Sequence, residues 1–249
     1  ISSLVFNGLL KYDPDDGLVP DLAESYTLSE DQRTYTFILR ENVAWHDGKP
    51  VTANDVLFTF DRIKDPNAKS PLYFNFKGVT LEQIDERTVR FALEEPFAPF
   101  VESLTTGILP AHIWSHIPAA NTNLSELNIK PIGSGPYAFK SLTKDNLTGE
   151  IKEYVLERNE NYFGTPAYIE ELHFKFYPSF LTATDALNNK NIQAISFLPK
   201  EEQERVVNNR SLNFHLLNLP QYTALFFNKD KNETLGDKTV RKILSHAIN

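Results

Sequence analysis

His112 and His116, four residues apart, are the first place to look for chemistry. On a helix that spacing sets two imidazoles on one face, as zinc ligation requires. Ile113 stands where a metalloprotease carries its glutamate, and no third ligand lies nearby, so the pair reads as two surface histidines. His46 beside Asp47 offers an acid and a base, but neighbouring residues of a strand or turn point apart and do not readily share a hydrogen bond. That pair reads as a turn. Gly133-Ser134-Gly135 falls short of the G-x-S-x-G nucleophile elbow, because Ile132 and Pro136 flank it. These glycines are better read as a tight backbone crossing before a strand. Glu94-Glu95, Glu170-Glu171 and Glu201-Glu202 are solvated faces. With 10 glycines in total there is no phosphate loop and no dinucleotide fingerprint. No enzyme constellation survives, and nothing calls for a metal or a cofactor.

The composition narrows the remaining classes. The chain has 249 residues, 41% hydrophobic and 23% charged, which fits one large or two moderate globular domains. Its net charge of −8 repels phosphate backbones, so nucleic acid is not an expected partner. Cys is absent, which excludes disulfides, thiolate zinc sites and cysteine nucleophiles. No apolar run reaches the roughly 18 residues of a membrane span. Met is absent as well, the chain opens inside an apolar stretch, and it closes within the helical pattern of Val240, Ile243, Leu244, Ala247 and Ile248. The expectation is therefore that both ends are cuts in a longer protein.

The elements that must position any site follow from periodicity. Residues 1–10 look helical. Tyr35, Phe37 and Leu39 alternate with Thr34, Thr36 and Ile38, giving a hairpin that turns over Ser29–Arg33. His46–Pro50 is a turn built on Asp-Gly. Thr52, with Asp55 three residues on, caps a helix whose buried stripe is Val56, Phe60 and Ile63. A second hairpin turns at Asp85-Glu86. A short helix, a break at Gly107 and another short helix follow, and residues 119–128 form a polar loop. Strands are expected at 137–143, 151–158 and around Leu172, Phe174 and Phe176, and a helix at 180–189. Beyond these, "AISF", "LNFHLL" and "TALFFN" read as strands and "PKEEQERVVNN" as an amphipathic helix. Helices and strands mix without strict alternation, so the class is α+β or mixed α/β. Residues 7–110 form a hairpin-rich subdomain. Residues 1–6 and 111–249 form a core with a mixed sheet.

The stretch "VPDLAESYTLSEDQRTYTFILRENVAWHDGKPVTANDVLFTFDRI" closely resembles the signature of the extracellular solute-binding proteins, family 5, of peptide and nickel ABC transporters. Leu22–Ser25, Tyr35–Phe37, Trp45, Asp47–Pro50 and Thr52–Val56 carry that resemblance. It continues in order through "ILPAHIW", "IGSGPYAFK", "LERNENYFGTPAYIEELHFKFYPS" and "TALFFNKDKNETLGDKTVRKILSHAIN". The resemblance implies a periplasmic-binding-protein-like lobe of type II, cluster C, with an extra hairpin subdomain and with the second lobe absent. It implies capture of oligopeptides or dipeptides in a cleft, delivery to a membrane ABC permease, a monomer, no cofactor and no catalysis. The expected location is extracytoplasmic, in the periplasm or lipid-anchored at the outer face of the cell membrane. The implied ligand-binding residues are Tyr222, Phe226 and Asn228 on the last strand and Leu72 and Tyr73 after Ser70-Pro71. Other family cargoes (a nickel chelate, haem, a sugar, an opine) and the sensor domain of a transcription regulator are the alternatives.

Overall fold

Aromatic residues spaced two apart on neighbouring strands build the largest core. In the computed structural model, which describes residues 1–13, 15, 17–207, 209, 211–215, 224–229 and 231–247, strands β3 (Ala23–Leu28), β4 (Thr34–Leu39), β5 (Thr80–Gln83) and β6 (Thr88–Ala92) form an antiparallel sheet. Its order is β3-β4-β6-β5. The alternation expected in the first hairpin is present: Tyr35, Phe37 and Leu39 are buried and Ile38 is exposed. Helix α2 (Ala53–Lys64) lays Val56, Phe60 and Ile63 against this sheet. Phe60 meets Phe91 edge-on at 5.2 Å and Phe76 at 4.7 Å, and Phe91 meets Phe37 at 5.8 Å. Each buried phenylalanine contributes roughly 1.5–3 kcal/mol of transfer energy, so this cluster dominates the packing.

A short helix, α1 (Ser2–Val5), precedes the hairpin of β1 (Leu10–Asp13) and β2 (Gly17–Pro20). The helix expected over residues 1–10 is therefore confined to four residues. Phe6 already has extended backbone, with φ −119° and ψ 141°, and Val5 gives its carbonyl to the amide of Gly135. An amide from elsewhere in the chain thus takes the place of the helical bond. A second, smaller core gathers Val5, Tyr137, Tyr154 and Leu156 on the sheet β7 (Tyr137–Lys144), β8 (Ile151–Arg158) and β9 (Glu171–Lys175). Along the chain between β6 and β7 come a 3-10 helix over Ala98–Thr105 and helix α4 (Ala111–Trp114). The loop expected over 119–128 winds into two 3-10 turns, Ala119–Leu124 and Glu126–Asn128. Helix α5 (Phe180–Asn188) falls where its pattern put it.

The chain divides into two compact units, Ile1–Ala194 and Ile195–Asn249. The boundary expected near 110 lies inside the first unit. The buried residues of the larger cluster run from Leu9 to Ile108, and Ile132 and Phe163 from beyond that boundary pack against it. In the second unit α6 (Lys200–Val206), α7 (Glu233–Gly236) and α8 (Lys238–His246) are formed. The expected strands are not seen among the described residues. Ile195–Phe197, Leu212–His215 and Ala224–Asn228 carry no strand structure, and Leu216, Leu217 and Thr223 lie outside the described residues. A period of two nominates a strand, but only a hydrogen-bonded neighbour makes one.

Candidate functional site

Asn7 holds the first unit's loops together. Its backbone carbonyl accepts from Ile108 N–H at 2.9 Å, and its side-chain amide donates to Asp21 Oδ2 at 2.8 Å and to Tyr162 Oη at 3.2 Å. Ser134 Oγ donates to Asn7 Oδ1 at 3.1 Å. Glycine is required where the backbones cross. A Cβ on Gly133 would come within 1.9 Å of Val5 O, and one on Gly135 within 2.4 Å of Leu4 O. The reading of Gly-Ser-Gly as a tight crossing holds, and Ser134 is a buried structural hydroxyl there.

His46 fixes this crossing from the other side. Its Nδ1 accepts the Gly133 N–H at 3.1 Å, and its Nε2 faces Gly135 O at 3.0 Å. That arrangement requires the neutral ring with its proton on Nε2. Burial depresses the pKa of His46, outweighing the opposing bond to Gly135 O and the charge of Asp47. Asp47 turns away from His46, as expected of neighbours, and binds His112 Nε2 at 2.7 Å. Helix α4 stops at Trp114, so His116 does not share a helical face with His112. Among the described residues no group of three or more His, Asp or Glu side chains is placed to hold a metal.

Asp55 carries the structural role of the T-A-x-D-V segment. Its Oδ2 accepts Thr52 N–H at 2.8 Å at the start of α2, and its Oδ1 accepts Ala111 N–H at 2.8 Å. Thr59 extends the tie, accepting Leu109 N–H on its Oγ1 at 2.9 Å. The "ILPAHIW" segment is thereby strapped to α2.

The expected ligand contacts fall in both units. Leu72 packs half-buried against the larger core, with its amide donating to Ser70 Oγ at 3.2 Å. Tyr73 begins α3 (Tyr73–Phe76) and meets Phe74 edge-on at 5.3 Å. Phe76 is fully buried, and Phe74, two positions earlier on the same turn, is 82% exposed. Residues two apart on a helix face nearly opposite ways, so burying Phe76 obliges Phe74 to face outward. Sequence reasoning passed over Phe74, since the burial of Phe76 that turns it outward is set by the tertiary structure. In the second unit Phe226 is exposed, and Asn228 Oδ1 accepts Lys231 N–H at 3.2 Å. Tyr222 lies outside the described residues.

The first unit thus joins an antiparallel hairpin sheet and a second antiparallel sheet through glycine crossings; the mixed sheet expected for residues 111–249 is antiparallel among the described residues, because β7, β8 and β9 pair in chain order, each reversing on the one before. Comparison with known proteins supplies the family. The model of the bacterial extracellular solute-binding proteins, family 5, matches residues 17–249, and the chain belongs to that family. Its members are transport binding proteins and not enzymes. The dipeptide-binding protein of Escherichia coli (strain K12) is 31% identical over 93% of this chain and 46% of its own length. The structure of NikZ from Campylobacter jejuni in complex with Ni(L-His) matches at a TM-score of 0.82 and 32% identity, covering 99% of this chain and 48% of that one. The oligopeptide-binding protein AppA of Bacillus subtilis, in complex with a nonapeptide, matches at a TM-score of 0.73 and 27% identity over 84% and 41% of the two chains. The chain spans about half the length of the curated relatives it matches.

Proposed function

We propose that this chain is lobe I of the substrate-binding component of an ABC transporter. It captures oligopeptides or dipeptides at the outer face of the cell membrane, or in a periplasm, and hands them to a membrane permease. Residues 7–110 serve as the hairpin subdomain, and residues 1–6 and 111–249 as the core of the lobe. The observation that carries this reading is the family match over residues 17–249. The aromatic step of Tyr73 and Phe74 supports it, because paired rings on the surface offer a large apolar contact with few rotatable bonds to order on binding. An extended peptide presents backbone N–H and C=O groups that a cleft satisfies whatever the side chains, and roomy hydrated pockets then give broad selectivity.

A nickel chelate is the second reading, favoured by the likeness to the Ni(L-His) complex. Amide chemical shifts of the protein titrated with a tripeptide and, separately, with Ni(L-His) distinguish the two. The tripeptide is expected to shift the Tyr73–Phe76 amides, and Phe74→Ala to weaken it about tenfold. Shifts produced by the chelate alone would replace the peptide reading. Neither ligand moving any amide would remove both.

A further inference from the structure

We propose that a niche beside Asn7, lined by Lys11, Asp21, Arg40, Tyr162 and Phe163, is a binding site for a free α-amino acid. It is independent of the surface at Phe74 and does not rest on the peptide reading. The niche has a volume of about 500 Å³, within the roughly 300–1,000 Å³ of small-molecule sites.

The unspent groups around it decide the ligand. Asp21 is 4% exposed, and its Oδ2 takes the Asn7 amide, but its buried Oδ1 has no hydrogen-bond partner among the described residues. The Lys11 ammonium stands over that oxygen at 3.6 Å, beyond hydrogen-bond length, on a side chain that is half exposed. Arg40 donates Nε–H to Asp21 O at 2.7 Å, and its two Nη groups have no protein partner among the described residues. Tyr162 accepts from Asn7 and keeps its own hydroxyl proton to donate.

A buried, unsatisfied carboxylate oxygen is costly and wants an N–H donor. A bare cation that supplied one would face both Lys11 and Arg40. A simple anion held by those cations would lie against an oxygen that can only accept. Each like-charge contact is repulsive, the more so where solvent is excluded. An α-amino acid meets both demands. Its ammonium takes the place of the Lys11 ammonium on Asp21 Oδ1, and its carboxylate lies on the Arg40 Nη groups and the Tyr162 hydroxyl. Pro20, Pro136 and Phe163 wall the niche with apolar surface, which suits a small aliphatic side chain.

The test is a titration with L-alanine, propionate and ethylammonium, followed by the amide shifts of Gly164 and the Asn7 side chain. L-alanine is expected to saturate these shifts, with each half-molecule at least tenfold weaker. Asp21→Asn should weaken L-alanine about tenfold. Lys11→Ala, on an exposed strand and safe for folding, should tighten it severalfold by removing the competing ammonium. If propionate matches L-alanine, if Lys11→Ala weakens binding, or if Gly164 and Asn7 do not move, the site is not an amino-acid site.

Discussion

His46 shows how one side chain can look catalytic and be structural. Both ring nitrogens are committed to backbone groups of Gly133 and Gly135, so the imidazole has no lone pair left for a substrate. Replacing His46 with Phe keeps the ring but leaves the Gly133 N–H without its acceptor. An unsatisfied buried donor costs roughly 1–3 kcal/mol, and a denaturation midpoint lowered by that amount with an unchanged slope is the expected result. Full wild-type stability would mean that the crossing holds without the ring. The glycines themselves were legible in the sequence as a close approach. That the approaching partners are Val5 and Leu4 was not, because those residues lie about 130 positions away and share no local pattern with the glycines.

At the scale of elements, α2 was the most legible. Its cap, its stripe and its stop at Lys64-Asp65-Pro66 each follow from local rules. The second duty of Asp55 was hidden, since Oδ1 reaches Ala111 across 56 residues. Asp55→Ala removes the bond to Thr52 and the bond to Ala111 together. Bonds to a charged acceptor are worth roughly 1.5–3 kcal/mol each, with overlap between them, so a loss of about 2–4 kcal/mol is expected. Hydrogen exchange should show Ala111–Trp114 losing protection along with the start of α2. Loss at α2 alone would assign Asp55 to the cap only. The strands expected at "AISF" and "TALFFN" failed for the complementary reason: alternation states which face a strand would bury, and says nothing of whether a neighbour is there to pair with it.

The whole molecule should weaken on acidification, and the sign follows group by group. His46 is held neutral by burial, so the unfolded chain takes up a proton that the folded chain refuses as pH drops below about 6.5. Burial tends to raise Asp47, but its bonds to His112 and to the Lys49 N–H leave it lowered on balance. The Lys152 ammonium lowers Asp145. A depressed carboxylate stabilises above about pH 4 and loses that contribution as pH falls through its folded value. His173 runs the other way. Its bond to Glu153, with Glu171 on the other nitrogen, raises its pKa, so its contribution is complete below about 6.5 and fades as pH rises through the raised value. His173 is half exposed, so its contribution is small. The melting temperature is therefore expected to fall in two stages between pH 7 and pH 3, and the upper stage should vanish in His46→Phe. A flat profile above pH 5 in the wild type would contradict this account.

The order of motifs from Leu22 to Asn249 and the aromatic alternation of the hairpins were enough, without coordinates, to give the family, the absence of catalysis and the hairpin sheet over α2. Those properties live in short windows, where side-chain period, capping and turn chemistry act on neighbouring residues. Only the tertiary structure decided that Phe74 faces outward, that His46 is spent on a glycine crossing, and that one buried oxygen of Asp21 has no hydrogen bond among the described residues and faces the Lys11 ammonium. Each of these depends on which distant backbone arrives at a given side chain. A single strand or helix carries no record of that arrival, because the energy that selects it comes from burial and hydrogen bonding shared across the whole unit.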